Sequence, residues 1–253
     1  MQYYSTNDST IQVSFREALL SGLAPDGGLY LPVEIPLLSE EELDSIKGAS
    51  FAHAAFVVAQ KFIVNEIPLS TLKEICEDAY DFSVPVIELK NKKEEGRNEA
   101  DLRVLELFHG PTLAFKDFAA RFMARCVDYY LGQESQQKTI LVATSGDTGG
   151  AIGNGFLGMD NVKVKILYPK GGVSPVQEAQ LTTMGGNVEA LQVDGTFDDC
   201  QKMVKDAFMD KELSEKWGLT SANSINLGRL LPQSVYYVYA SHLFRSMYGE
   251  NPN

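Results

Sequence analysis

Hydrophobic residues recur at helical spacing through the first hundred positions and gather into short unbroken runs after them. In SFREALLSGLAPDGGLYLP, Phe15, Ala18, Leu19 and Leu23 share one side of a short helix, and Pro25-Asp26-Gly27-Gly28 make the turn that follows. LSEEELDSI places Ser39 three residues before Glu42, the pattern of a capped helix start. SFAHAAFVVAQKFIV and PLSTLKEICEDAYDF predict two further helices, so this part reads as mainly helical. The polar run LKNKKEEGRNEADLR, residues 89–103, reads as a surface loop and a domain boundary.

From residue 103 the rhythm becomes strand, turn, helix. RVLELF precedes one helix; KTILVA leads to TSGDTGGAIGNGFL, KVKILYP to SPVQEAQLTTMGG, and VEALQV to GTFDDCQKMVKDAF. LTSANSINLGRLLPQSVYYVYASHLFRSMYG then carries a long last helix. Runs of Val, Ile and Leu without polar alternation predict strands covered on both faces. Strands alternating with helices predict a parallel, right-handed sheet. The fold class is therefore α/β, with a helical N-terminal domain over residues 1–97 and a sheet-and-helix domain over 98–253.

Composition narrows the partners. The 253 residues are 44% hydrophobic, enough for a sizeable core. Twenty-two basic against 34 acidic residues leave a formal net charge of −12, and no basic cluster has interleaved aromatics, so a nucleic-acid partner is not expected. An anionic small molecule would need a local basic pocket. Cys76, Cys126 and Cys200 lie far apart, as do His53, His109 and His242, which argues against a metal site and for reduced thiols in the cytosol. The opening MQYYSTNDSTIQVSF has no signal-peptide pattern, and no run of eighteen apolar residues predicts a membrane span.

Four stretches could carry chemistry. In ILVATSGDTGGAIGNGF a strand ends at Ala143 and a helix begins near Thr148 or Gly149, with Thr144, Ser145, Gly146 and Asp147 between. Free N–H groups and hydroxyls there suit an anion, while a glycine-rich turn can equally be a packing device. In SANSINLGRLLPQ, Asn226 and Arg229 suit a phosphate, and capping by Ser224 or Asn226 with a surface arginine is the plainer alternative. In YPKGGVSPVQ, Lys170 could meet an anion, or Ser174 could simply cap a helix with Pro175 in its first position.

The fourth stretch is ELFHGPTLAFKDFAARFMARCVDYYL. Lys116 stands between Phe115 and Asp117 in the first turn of a helix, with Phe118 and Phe122 close behind. A solvated lysine is the ordinary outcome. The positive end of a helix dipole and rings that exclude water would instead favour a neutral, nucleophilic amine.

LFHGPTLAFKDFAARFM resembles the segment that holds the cofactor lysine in threonine synthases. ATSGDTGGA is similar to that family's hydroxyl-rich substrate loop, YYSTNDS and VSFREALLSGLAPDGGLYLP to its N-terminal opening, and NSINLGRLLPQ to a later substrate-binding segment. The four motifs stand in the family's order over nearly all of the chain. The resemblance implies part of a type II pyridoxal 5'-phosphate enzyme fold, shared with cysteine synthase and the serine and threonine dehydratases. It implies conversion of O-phospho-L-homoserine and water to L-threonine and phosphate, with a smaller lobe over residues 117–229. Lys116 falls on the Schiff-base lysine, whose amine carries protons at the substrate's α and β carbons; Phe115 and Asp147 are further cofactor contacts. Thr144, Ser145, Gly146 and Thr148 match the loop that meets the substrate carboxylate, and Asn226 and Arg229 fall at positions for the substrate phosphate.

Members of that family continue past a helix like RLLPQSVYYVYASHLF into a strand and a Gly-Asn-Phe-Gly type loop for the cofactor phosphate, and YGENPN ends before it. The expectation is an N-terminal portion whose 253 residues alone hold the cofactor weakly and do not turn over. A threonine-synthase-like phospholyase and a non-catalytic binding module are the alternatives. Oligomeric state is not readable from the sequence.

Overall fold

The computed structural model describes residues 1–89, 102–134 and 137–248. The chain opens on β1 (Tyr3–Ser5), β2 (Gln12–Val13), α1 (Phe15–Ser21) and β3 (Tyr30–Pro32). The three strands form an antiparallel sheet in the order β2-β1-β3. The mainly helical reading did not include this sheet, because strands of two or three residues are too short to show any periodicity. Ser14 and Glu17 close a capping box on α1, and buried Phe15, Ala18 and Leu19 form its inner face. Leu23 lies beyond the helix end.

Three helices follow: α2 (Glu40–Ile46), α3 (Phe51–Phe62) and α4 (Leu69–Ala79). Ser39 and Glu42 form the expected capping box at the start of α2. Next, β4 (Val86–Leu89) pairs antiparallel with β5 (Leu102–Leu105) in a separate two-stranded sheet. RVLELF was expected to open the parallel series; its partner is instead the strand just before it. The boundary expected between residues 97 and 98 lies outside the described residues.

The remaining elements are α5 (Lys116–Glu134), β6 (Lys138–Ala143), α6 (Asp147–Phe156), β7 (Val162–Pro169), α7 (Pro175–Thr182), β8 (Val188–Val193), α8 (Phe197–Met209), α9 (Lys211–Trp217), β9 (Leu219–Thr220) and α10 (Leu227–Tyr248). Strands β8-β7-β6-β9 form one parallel sheet, with Ile140 opposite Val164 and Thr220. Its central strands β6 and β7 are largely buried, as runs of Val, Ile and Leu require.

One hydrophobic cluster runs from the N-terminal elements into α5, the sheet and α10. Phe118 stands at the junction, with its ring 4.9 Å from Phe51, 5.0 Å from Phe82 and 5.1 Å from Tyr236. Burying such a side chain contributes about 1.5–3 kcal/mol, so each ring ties several elements at once. Polar ties cross the same junction: Arg121 donates to the Ala79 carbonyl at 2.7 Å, and Thr220 Oγ1 to the Leu20 carbonyl at 2.9 Å.

Candidate functional site

The loop before α5 is shaped by Asp117. Its carboxylate is buried and accepts from the Thr112 N–H at 2.9 Å and from the Thr112 hydroxyl. Gly110 packs so closely that a Cβ there would sit 2.8 Å from the Asp117 Cβ. Desolvation raises the Asp117 pKa above the usual carboxylate value, with the Thr112 bonds pulling the other way. This knot sets the direction in which Lys116, the first residue of α5, leaves the backbone.

Lys116 faces a cavity of about 1020 Å³. Its Nζ lies 3.4 Å from Asp147 Oδ2 and 4.5 Å from the centre of the Phe115 ring. The side chain is 22% exposed, neither buried nor free in solvent. The expected rings of Phe118 and Phe122 do not shield the amine, because both are turned into the core. Phe115 does lie beside it, although that ring is itself 43% exposed.

The hydroxyl-rich turn joins β6 to α6 on the same cavity wall. Thr144, Ser145 and Thr148 line the cavity. The Thr144 hydroxyl is, however, engaged within the turn: it donates to the Gly146 carbonyl and accepts from the N–H groups of Gly146 and Gly149 at 3.0 and 2.9 Å. Thr144 thus lines the cavity with its hydroxyl occupied inside the turn. Gly146 adopts φ 149°, which side-chain-bearing residues rarely reach. Gly149 and Gly155 serve packing: a Cβ on Gly149 would meet Leu181 at 2.8 Å, and one on Gly155 the Ala120 backbone at 3.0 Å. The stretch is both a polar turn and a packing device, divided residue by residue.

The second polar stretch divides in the same way. Asn226 is fully buried and donates to the carbonyls of Leu19 and Ser221 at 2.9 and 3.0 Å. Its Oδ1 accepts from the Gly228 N–H at 2.8 Å, so it caps α10. Asn226 is absent from the cavity wall, and its carboxamide has no group left for a phosphate; the capping alternative describes it. Arg229 does reach the cavity. It is not the surface arginine of the alternative, being 2% exposed. Nη1 donates to the Ala222 carbonyl at 2.8 Å, and Nε has no partner among the described residues. Burial lowers the guanidinium pKa to about 10, which still leaves it charged at neutral pH. Lys170 is exposed and away from the cavity wall, and Ser174 caps α7 with Pro175 in the first position.

Several contributors escaped the sequence reading. Gln201, Lys205 and Phe208 from α8 and Gln233 from α10 also line the cavity. Tyr236 donates to the Phe115 carbonyl at 3.1 Å and so anchors the residue before Lys116. The i, i+4 spacing of Gln201 and Lys205 was the available signal, since it puts both on one side of α8. Among the described residues the wall carries Lys116, Lys205 and Arg229 and no carboxylate. A chain of net charge −12 thus contains a cationic concavity suited to anionic groups. No cluster of potential metal ligands occurs among the described residues.

Residues 2–80 match the family Threonine synthase N terminus, and residues 82–230 match the family Pyridoxal-phosphate dependent enzyme. The threonine synthase of Escherichia coli is 45% identical over 240 residues, covering 95% of this chain and 54% of that protein. That of Buchnera aphidicola from Acyrthosiphon pisum is 44% identical, covering 99% of this chain and 56% of its own length. Among solved structures, the PLP-bound threonine synthase from Brucella melitensis superposes with a TM-score of 0.87 at 44% identity, over 96% of this chain and 52% of that one. The yeast threonine synthase gives 0.84 at 40% identity, over 95% and 49%. The chain spans about half the length of the curated relatives it matches. With Lys116 and the polar turn meeting on one cavity, the chain belongs to the pyridoxal-phosphate-dependent enzyme family and matches the N-terminal portion of its threonine synthases.

Proposed function

We propose that this chain supplies the lysine-bearing part of a threonine synthase active site, acting on O-phospho-L-homoserine and water to give L-threonine and phosphate. One observation carries the reading: the Lys116 amine opens onto a wall that also bears a buried arginine whose Nε has no partner among the described residues. Pyridoxal phosphate fits that wall, because its aldehyde needs an amine and its phosphate needs cationic or N–H donors. Lys116 would hold the aldehyde through a Schiff base, Phe115 would pack beside it, and Asp147 would face the ring hydroxyl. When bound, the cofactor supplies an electron sink for charge developing at the substrate's α carbon.

The remaining roles belong to the chain itself. The Lys116 amine carries protons at the substrate's α and β carbons, which lets the γ-phosphate leave before water adds at the β carbon. Ser145, Thr148 and the N–H groups at the start of α6 offer donors for the substrate carboxylate. Arg229 offers a forked cation for the phosphate, and its burial strengthens that contact by excluding water. Asn226 supports Arg229 from behind by holding the first turn of α10 against α1.

A cytosolic location belongs to the same proposal: Cys76, Cys126 and Cys200 are free and buried. No helix among the described residues is long and apolar enough to cross a membrane.

The test uses the complete product of the reading frame, supplied with pyridoxal phosphate and O-phospho-L-homoserine. Threonine and phosphate should form in equal amounts, and Lys116→Ala should lower kcat by about 10³-fold or more without unfolding the protein. Borohydride treatment followed by peptide mass analysis should place the cofactor on Lys116. Formation of 2-oxobutyrate instead of threonine would make the protein a phospholyase. Full activity in the Lys116→Ala variant would sink the reading.

A further inference from the structure

Helix α7 begins with a capping box in which Ser174 is paired with Gln177. The boxes Ser14/Glu17, Ser39/Glu42 and Thr196/Asp199 use an acid at the same place. A carboxylate is the natural choice there, since it accepts hydrogen bonds and favours a helix N-terminus. The amide at 177 therefore calls for a reason.

The reason lies on its other side. Gln177 Oε1 accepts from the Ser174 N–H at 3.2 Å and from the Ser174 hydroxyl at 3.1 Å. Its Nε2 donates to Asp147 Oδ1 at 2.7 Å, and Asp147 Oδ2 lies 3.4 Å from Lys116 Nζ. Chemistry fixes the orientation of the amide: a backbone N–H can only donate and a carboxylate can only accept, so oxygen faces Ser174 and nitrogen faces Asp147. The amide also lies flat over Gly146, where a Cβ would come within 2.7 Å of the Gln177 Cδ. Glutamine is thus the side chain that can close the cap and hold the acid at once.

We propose that Gln177 is a positioning residue for the Lys116 site, its amide holding one oxygen of Asp147 so that the other faces the lysine. The proposal rests on the reading of Lys116 given above and adds a residue from outside the cavity wall. A glutamate at 177 would keep both bonds to Ser174, as Glu17 does for Ser14, and would lose the bond to Asp147. It would also bring a second carboxylate beside the amine.

Gln177→Glu therefore separates capping from positioning. The 253-residue chain and its variants are treated with a limiting amine-acylating reagent, and acylation is read at each lysine by peptide mass. Lys116 should react about fivefold or more slowly in Gln177→Glu, because two neighbouring carboxylates favour its protonated, unreactive form. Lys170 and Lys202 should keep their rates, and the thermal midpoint should hold. The exchanged pair Asp147→Asn with Gln177→Glu restores one carboxylate and one amide, and should return the Lys116 rate to within about twofold of the original. An unchanged Lys116 rate in Gln177→Glu overturns the proposal, as does a loss of stability equal to that of Gln177→Ala, which would leave Gln177 a cap alone.

A second arm reads the reaction in the complete polypeptide. Gln177→Glu should lower kcat about tenfold or more with little change in KM for O-phospho-L-homoserine, since the amine is misplaced and the anion contacts are not. Unchanged kcat would overturn the positioning role. If the unaltered polypeptide makes no threonine, the reading of function fails on its own, while the acylation result still decides whether Gln177 holds Asp147 against Lys116.

Discussion

Arg229 pairs a fixed charge with one hydrogen bond and almost complete burial. Burial brings its guanidinium pKa down from its usual, higher value to about 10, so the charged form is less favourable folded than unfolded at every pH below that value. A shift of that size corresponds to roughly 3 kcal/mol, against about 1–2 kcal/mol for the bond to Ala222. Arg229→Met, of similar bulk, should therefore leave the free protein as stable or raise it by about 1–2 kcal/mol, seen as a thermal midpoint a few degrees higher. Inorganic phosphate should stabilise the original chain and not the variant, a difference that differential scanning fluorimetry would record. A midpoint that falls without phosphate, or a variant that still responds to phosphate, would mean that Arg229 is a structural group. Asn226 was legible in the sequence as a polar residue at a helix start. Its full saturation was not, because one of its partners is the carbonyl of Leu19, 207 positions away.

At the level of elements, the local code was readable wherever it was regular. KTILVA, KVKILYP and VEALQV fall on β6, β7 and β8, and Ser39 and Ser174 cap the helices they precede. The glycines of α6 were readable only as a cluster. Packing decides their purposes, since α6 lies against α5 closely enough for Gly155 to touch the Ala120 backbone. Gly155→Ala puts a methyl 3.0 Å from two backbone atoms that cannot turn aside. It should destabilise the protein by about 1–3 kcal/mol despite alanine's better helix propensity, as urea unfolding would measure. A stabilising Gly155→Ala would show that the two helices can separate at little cost.

At the level of the whole molecule, one buried cluster joins residues of the first eighty positions to α5, the sheet and α10. Phe51 and Tyr80 share ring contacts with Phe118 and Tyr236, and the Leu19 and Leu20 carbonyls serve Asn226 and Thr220. A chain beginning at residue 82 should expose these rings, bind a hydrophobic dye and give no cooperative transition by circular dichroism, whereas the 253-residue chain should unfold in one step. A folded, cooperative product from residue 82 onward would show that the two parts fold independently.

The sequence by itself determined the order of most helices and strands, the caps and the lysine at the head of α5, because periodicity and capping are read over a few neighbouring residues. It also carried the family motifs, whose spacing is local in each case. Only the tertiary structure decided that β5 pairs backward with β4, that Asp147 stands between Lys116 and Gln177, and that Arg229 is buried. Local patterning shows which residues seek the interior. Which groups they meet there, and whether a charge or donor is left unmatched, depends on contacts between positions tens to hundreds of residues apart.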